Sequence, residues 1–432
     1  MMITTRLRKI ALALGAAGTA GIVAVACAEA RAGGVEWGST LTLRDRDASN
    51  PTAAVDPRSG AAYAAWVETT GGVSSVFVAR LEGDGDAAPA RVRANDRPGD
   101  AAPHEQAPAQ VAVGPEGNVY VVWQNSTKIP GRRFPASDLR FARSTDGGRT
   151  FEPAVTVNDD AGGTPSSHTF HDLVVGSDGT VWVSWLDSRV RDAERARRNP
   201  RPAPASPDAA PKGHGHGGAT QGHGGMKGDG GGMKEDADLP GGEIRVARST
   251  DGGRTFGASV VVDGGVCPCC RTSLAVGPDG SLYVAWRKVF DGDVRDVVLS
   301  RLAPGASAWS EPARVHADGW VFPGCPHAGP SVAVDERGRV HVGWYTGKEG
   351  RQGLWYAASD DGGRSFGAPA ALLTGAWVPP SSVALAAEGG RVWAAWDDRR
   401  EKPGTVQVAV VDGAAPRVIG TMDAARSPAL AA

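Results

Sequence analysis

Thiol and imidazole side chains gather in two short stretches of the chain, Cys267-Pro268-Cys269-Cys270-Arg271 and Cys325-Pro326-His327. Thiolates and imidazoles bind Cu(I) and Zn(II) in preference to hard cations, which take oxygen ligands. With His104, His168 and His171 these residues form a candidate ligand set, for copper first and zinc second. A third stretch, in a Gly-rich segment, carries His214, His216 and His223 with Met226 and Met233. Imidazole and thioether together suit copper, and a plain Gly-rich linker is the other reading. Two readings also stand for the cysteines. In an oxidising compartment they would form two disulfides tying neighbouring repeats together; as thiolates they would bind metal, and one disulfide plus a two-thiolate site would use the same residues. The spacing matches neither a zinc ribbon nor a haem attachment pattern.

Such residues need a frame, and the chain is internally repetitive. Six segments share one pattern and close on Trp66, Trp123, Trp185, Trp286, Trp344 and Trp396. Each has a short apolar run, a turn of Asp, Gly and Pro, and an alternating run such as Val119-Tyr120-Val121-Val122-Trp123, the signature of a tight β-hairpin. Third strands follow at 139–143, 244–248, 297–301 and 354–358, and a fourth such as 258–262. Four antiparallel strands repeated six times predict an all-β fold, a six-bladed β-propeller over residues 35–422.

Aligned on their first strands, the six units place Arg46, His104, Ser166, Cys267, Cys325 and Ala376 in one column. Two residues on stand Ala48, Gln106, His168, Cys269, His327 and Val378. Both columns fall in the loop from one unit's outermost strand to the next unit's innermost, so they are expected to ring one mouth of a central channel. An insert at 192–239, too poor in apolar residues to form a core, emerges on the same face.

The octet Ser-Thr-Asp-Gly-Gly-Arg-Thr-Phe occurs at 144–151 and 249–256, and a near copy stands at 359–366. It falls between third and fourth strands, where Asp accepts turn N–H groups and the glycines permit positive φ. This motif resembles the Asp-box, or BNR repeat, of the sialidase superfamily. The resemblance implies a propeller in which Asp146, Asp251 and Asp361 are structural and lie away from the active face. It also implies what a sialidase would need: three Arg on a carboxylate, a Tyr–Glu nucleophile and an Asp acid/base. Here the Arg-Ile-Pro signature is absent and 44–47 reads Arg-Asp-Arg-Asp. Tyr63, Tyr120 and Tyr283 fall in packing positions, and neither Tyr345 nor Tyr356 stands in a nucleophile context. Arg46, Arg271 and Arg399 are candidate substrate-binding cations, with Arg189 beside them. For Arg189 and Arg399 the ordinary reading of Trp-x-Asp-x-Arg is an ion pair with Asp187 or Asp397. No catalytic residue is assigned. A metal-binding, non-hydrolytic propeller is the first functional reading; an exo-sialidase or related glycoside hydrolase acting on an acidic sugar is the second.

A net charge of −2 over 432 residues offers no field for nucleic acid. Residues 1–30 read as a secretory signal: Arg6, Arg8 and Lys9 precede a mildly apolar run ending in small residues. Cys27 after Ala-Val-Ala faintly resembles a lipobox, so a periplasmic or extracellular monomer is expected, with a lipid on Cys27 as its one route to a membrane. Of five cysteines, four then remain in the mature chain. The 37–43 run matches a fourth strand and is expected to close the ring, with 418–420 competing for that place. The tail at 424–432 is expected to be disordered. A metal ion, or a small molecule or glycan, is the expected partner.

Overall fold

Alternation drives the second strand of every unit into a sheet, and in the computed structural model the six Trp that close these strands are at most 1% exposed. Residues 9–16, 23–31, 34–37, 41–44, 48–81, 90–130, 132, 134–198, 239, 241–412, 415–423 and 425–431 are described. The architecture is a β-propeller arrangement of four-stranded antiparallel sheets. Four sheets stand alone, at 48–93, 110–156, 331–374 and 383–423. The expectation of six separate blades therefore needs correcting. Units three and four, at 168–314, run on as one eight-stranded sheet. The cause is local. The outermost strand of unit three, Val260–Val266, carries register shifts, and its end pairs Val266 with Lys288 of unit four's second strand. The Cys267 N–H continues this path by donating to the Arg287 carbonyl at 3.0 Å.

Ring closure also departs from expectation. The outer place in the last sheet belongs to Ala415–Asp423, which pairs with Thr405–Asp412 and contains the competing 418–420 run. Hairpin formation with an adjacent strand costs far less loop entropy than recruiting a segment hundreds of residues away. Residues 34–37 and 41–44 instead pair with Val23–Arg31, in a sheet that includes Lys9–Ala16 and Ala425–Ala431. In the tail, Ala425–Ala431 form a strand. Ala425 is buried against Ala395, Val406 and Val408, and the Ser427 N–H donates to Asp397 Oδ1 at 2.7 Å. The first residues of the insert are likewise ordered. A helix at Arg189–Arg198 is held by Glu194 pairs to Arg197 and Arg198, and by buried Asp192 accepting from Arg132 and Arg195. His214, His216, His223, Met226 and Met233 lie outside the described residues, as do Arg46 and residues 1–8 and 17–22 of the proposed leader.

Successive sheets are tied in two ways. At the channel, side chains of one inner strand bond the backbone of the next. Thr52 donates to the Ala109 carbonyl at 2.7 Å. Asp172, Ser273 and Ser331 accept N–H groups of Leu274, Val332 and Leu385 at 2.7–3.1 Å. At the rim the octets do the work. Asp146 accepts the N–H groups of Arg149 and Thr150 at 3.0 Å and the Thr150 hydroxyl at 2.7 Å, and the Gly148 N–H donates to Ser144 Oγ at 2.8 Å. Asp251 and Asp361 repeat the pattern. These bonds, from Thr150 and Ser144 first, hold the Asp146 carboxyl down at about 2. The second glycine of each octet then abuts the preceding unit: a Cβ on Gly253 would lie 2.6 Å from Phe141 and one on Gly363 2.5 Å from Leu299.

Candidate functional site

Cys267, Cys269 and Cys270 leave the outermost strand of unit three in a four-residue turn that folds their sulfurs inward. All three are buried, with Cys267 Sγ 3.5 Å from Cys269 Sγ and 3.6 Å from Cys270 Sγ. A disulfide requires about 2.05 Å. Cys267, Cys269, Cys270 and Cys325 carry no S–S bond here. The three cysteines of this turn converge on one point. Cys325, exposed, and His327 approach from unit five. Their ligand atoms and Cys269 Sγ lie within 4.8 Å of one another, as do those of Cys267, Cys269 and Cys270. Two triads therefore share Cys269. His327 reaches it from a backbone at φ +51°, a left-handed conformation that non-glycine residues rarely adopt and that gathers at functional sites.

The thiols are not equivalent. Sulfur contacts from Cys269 and Cys270, with Arg295 and Arg287 nearby, hold the Cys267 thiol far below the ordinary range. Arg295 Nη1 donates to Cys267 Sγ at 3.1 Å. The contact with Cys267 pushes Cys269 up, and burial pushes up Cys270. A contact from Cys269 lowers Cys325, helped by Arg191 of the 189–198 helix. That helix begins the His/Met-rich insert.

The channel encloses a cavity of about 510 Å³ that His327 shares with His104, Glu105, Asp172, Arg271 and Arg399. Burial, then repulsion from His327, lowers the His104 imidazole. His171 is fully buried, and among the described residues its ring nitrogens make no hydrogen bond of good geometry, but it does not line the cavity. His168 falls out of the ligand set. Its Nδ1 lies 2.6 Å from the Ser137 carbonyl and its Nε2 3.0 Å from Asp160, and despite burial these partners raise its pKa. Equal column positions put His168 one unit away around the ring, where Asp160 and Asp187 occupy it.

The anion-clamp candidates separate similarly. Arg399 is held by Asp397 and Glu105, both at 2.6 Å, and Arg189 by Asp187 at 2.9 Å and Asp159 at 2.7 Å. Arg271 remains in the cavity, with burial opposing its charge and Asp172 and Asp397 supporting it. Burial lifts Asp172 to about 6. The hydroxyls of Ser381 and Ser382 and Gln106 Oε1, all at the cavity, have no hydrogen-bond partner. None of the five Tyr lines it: the Tyr345 hydroxyl donates to the Val378 carbonyl and Tyr356 pairs with His341.

Sequence reading missed Arg287 and Arg295. Arg287 follows Trp286, where the other units carry Val67, Gln124, Leu186, Tyr345 and Asp397; a lone cation at that otherwise uncharged or acidic position was the available signal.

No family model and no curated protein matches the sequence. Among solved structures, the chain is similar to a polysaccharide lyase, the PL25 ulvan lyase bound to -[GlcA(1-4)Rha3S]-. That match has 12% identity and a TM-score of 0.54 over 88% of this chain and 86% of that one. It is also similar to a protein from Lactobacillus plantarum, at 10% identity and a TM-score of 0.53 over 98% of both chains. The Hadza microbial sialidase Hz136 matches at 13% identity and a TM-score of 0.47, over 97% and 84%. At such identities the likeness speaks to fold alone.

Proposed function

We propose that the protein is an exported, non-hydrolytic propeller that binds a soft metal ion, copper before zinc, at one mouth of its channel. In this reading the fused 168–314 sheet counts as two blades, making six. The octets are Asp-boxes of the sialidase-like kind, and the leader through about residue 26 or 30 is removed, with or without a lipid on Cys27. The observation that carries the metal assignment is the convergence of Cys267, Cys269, Cys270, Cys325 and His327, in two triads whose ligand atoms each lie within 4.8 Å of one another. Thiolate–metal bonds of about 2.3 Å and imidazole bonds of about 2.0 Å bridge such separations after small side-chain shifts. Sulfur-rich donors favour Cu(I) over oxygen-seeking cations. The His/Met-rich insert serves as collector: weak, exposed ligands deliver the ion to the buried thiols.

The test is anaerobic Cu(I) titration of the full chain against a competing chelator. Replacing Cys269 and Cys325 together by Ser is expected to abolish tight binding, whereas deleting 199–238 is expected to slow uptake and leave the affinity of the thiol site unchanged. Tight binding that survives the double substitution overturns the assignment.

The second reading, a ligand pocket for a small acidic or polyhydroxylated molecule, is favoured by Arg271 and the unpartnered Ser381, Ser382 and Gln106 groups in the cavity. Sialidase chemistry in particular lacks its nucleophile, since no described Tyr faces that space. A fluorogenic sialoside turned over by the purified protein would reverse this preference.

A further inference from the structure

We propose that the thiol site is built for a pair of Cu(I) ions bridged by the Cys269 thiolate. The proposal rests on the soft-metal reading and goes beyond it in stoichiometry and in the part played by two arginines.

Donor count is the first ground. Cu(I) is satisfied by two or three soft ligands, and the site offers four sulfurs and one imidazole. These donors fall into one buried triad, Cys267–Cys269–Cys270, and one outer triad, Cys269–Cys325–His327, and no residue but Cys269 belongs to both. A sulfur common to two triads is where a bridging thiolate sits, because its lone pairs can serve two ions at once.

Charge is the second and independent ground. Arg287 is 1% exposed, yet every hydrogen bond it makes goes to a backbone carbonyl: Arg295 at 2.7 Å, Ala328 at 2.9 Å and Tyr345 at 2.7 Å. It faces Trp320 at 5.2 Å and pairs with no carboxylate. Arg295, 8% exposed, donates to Cys267 Sγ, and its nearest carboxylate, on Asp293, is 3.6 Å away. Buried cations need compensating anions; beside half-exposed Asp293, which pairs with Arg295 alone, the Cys267 thiolate is the anion the two arginines share. The two guanidinium groups and an inner ion offset the three buried thiolates, and an outer ion offsets the exposed Cys325 thiolate, so a pair of monovalent ions leaves the whole set neutral.

The experiment uses the full chain with His214, His216, His223, Met226 and Met233 replaced by Ala, so that only the thiol site is counted. Cu(I) is added anaerobically, copper per chain is read by elemental analysis and native mass spectrometry, and emission from thiolate-bound Cu(I) is followed during the titration. About two coppers per chain are expected, entering together. Cys270→Ser is expected to leave about one, held by the outer triad, and Cys269→Ser to lower occupancy of both positions. Arg287→Lys should keep two ions and Arg287→Met should lose the second while circular dichroism reports an intact fold. Saturation at about one copper, with Cys270→Ser and Arg287→Met unchanged, overturns the bridged pair and leaves single-ion binding standing. Absence of any tight copper overturns both.

Discussion

Gly252 and Gly253 stand side by side in one turn at φ +72° and +82°, yet their surroundings differ. A methyl on Gly252 would meet nothing nearer than Arg143 Nη1 at 3.5 Å, the end of a flexible side chain. One on Gly253 would lie 2.6 Å from Phe141 Cε1 and 3.0 Å from Cζ. Phe141 cannot retreat: it is 1% exposed and clamped between Tyr120, stacked at 5.8 Å, and Phe256, edge-on at 4.9 Å. Gly252→Ala therefore carries only the left-handed backbone penalty, about 1–2 kcal/mol. Gly253→Ala adds overpacking of about 1–3 kcal/mol, for a total of about 2–5 kcal/mol. Urea unfolding followed by Trp fluorescence measures the pair, compared at a common m-value. Equal losses in the two variants would show that the octet does not press on the neighbouring unit, and the inter-sheet role given to it here would fail.

Other outcomes are equally accessible. Asp146→Ala or Asp251→Ala should cost about 1–3 kcal/mol through unpaired turn donors, with Cu(I) affinity unmoved; an altered affinity would connect the rim to the site. Asp172 is lifted to about 6 from 3.8, so the folded state holds its proton more tightly than the unfolded one. Stability should then fall by about 3 kcal/mol as pH rises from below 4 to above 6, and Asp172→Asn should flatten that window; a wild-type slope in the variant would refute the assignment. Mass spectrometry of the native N-terminus should find a start at Cys27 or shortly after it, and retention of residues 1–20 would end the export reading.

The Trp-terminated hairpins made the repeat legible, because an alternating strand with a large side chain at a fixed place has one way to bury it. The site was partly legible for the same reason: aligning first strands brought Cys269, Cys325 and His327 into neighbouring columns, and these three do meet. His168 shared their column but not their environment, since a column gives height along the channel and not the neighbours around it. Arg287 and Arg295 were hidden by the habit of reading Arg in an alternating strand as solvent-facing; their burial depends on loops 30 residues on, where Trp320, Phe322 and Ala328 close over them. The closing strand was misplaced because 37–43 and 415–423 are both plausible in pattern, and pattern carries no information on loop-closure entropy.

Ala425–Ala431 borders the channel cavity through Ser427, Pro428, Ala429 and Leu430, and its ladder partner is Lys9–Ala16. That partner lies within the proposed leader. Removal of the leader on export would strip the tail of its interstrand bonds and leave it held by Ala425 in its apolar seat, by the Ser427 N–H on Asp397 and by the Ala429 and Leu430 contacts. One side of the channel wall would then be secured at points and not along a seam.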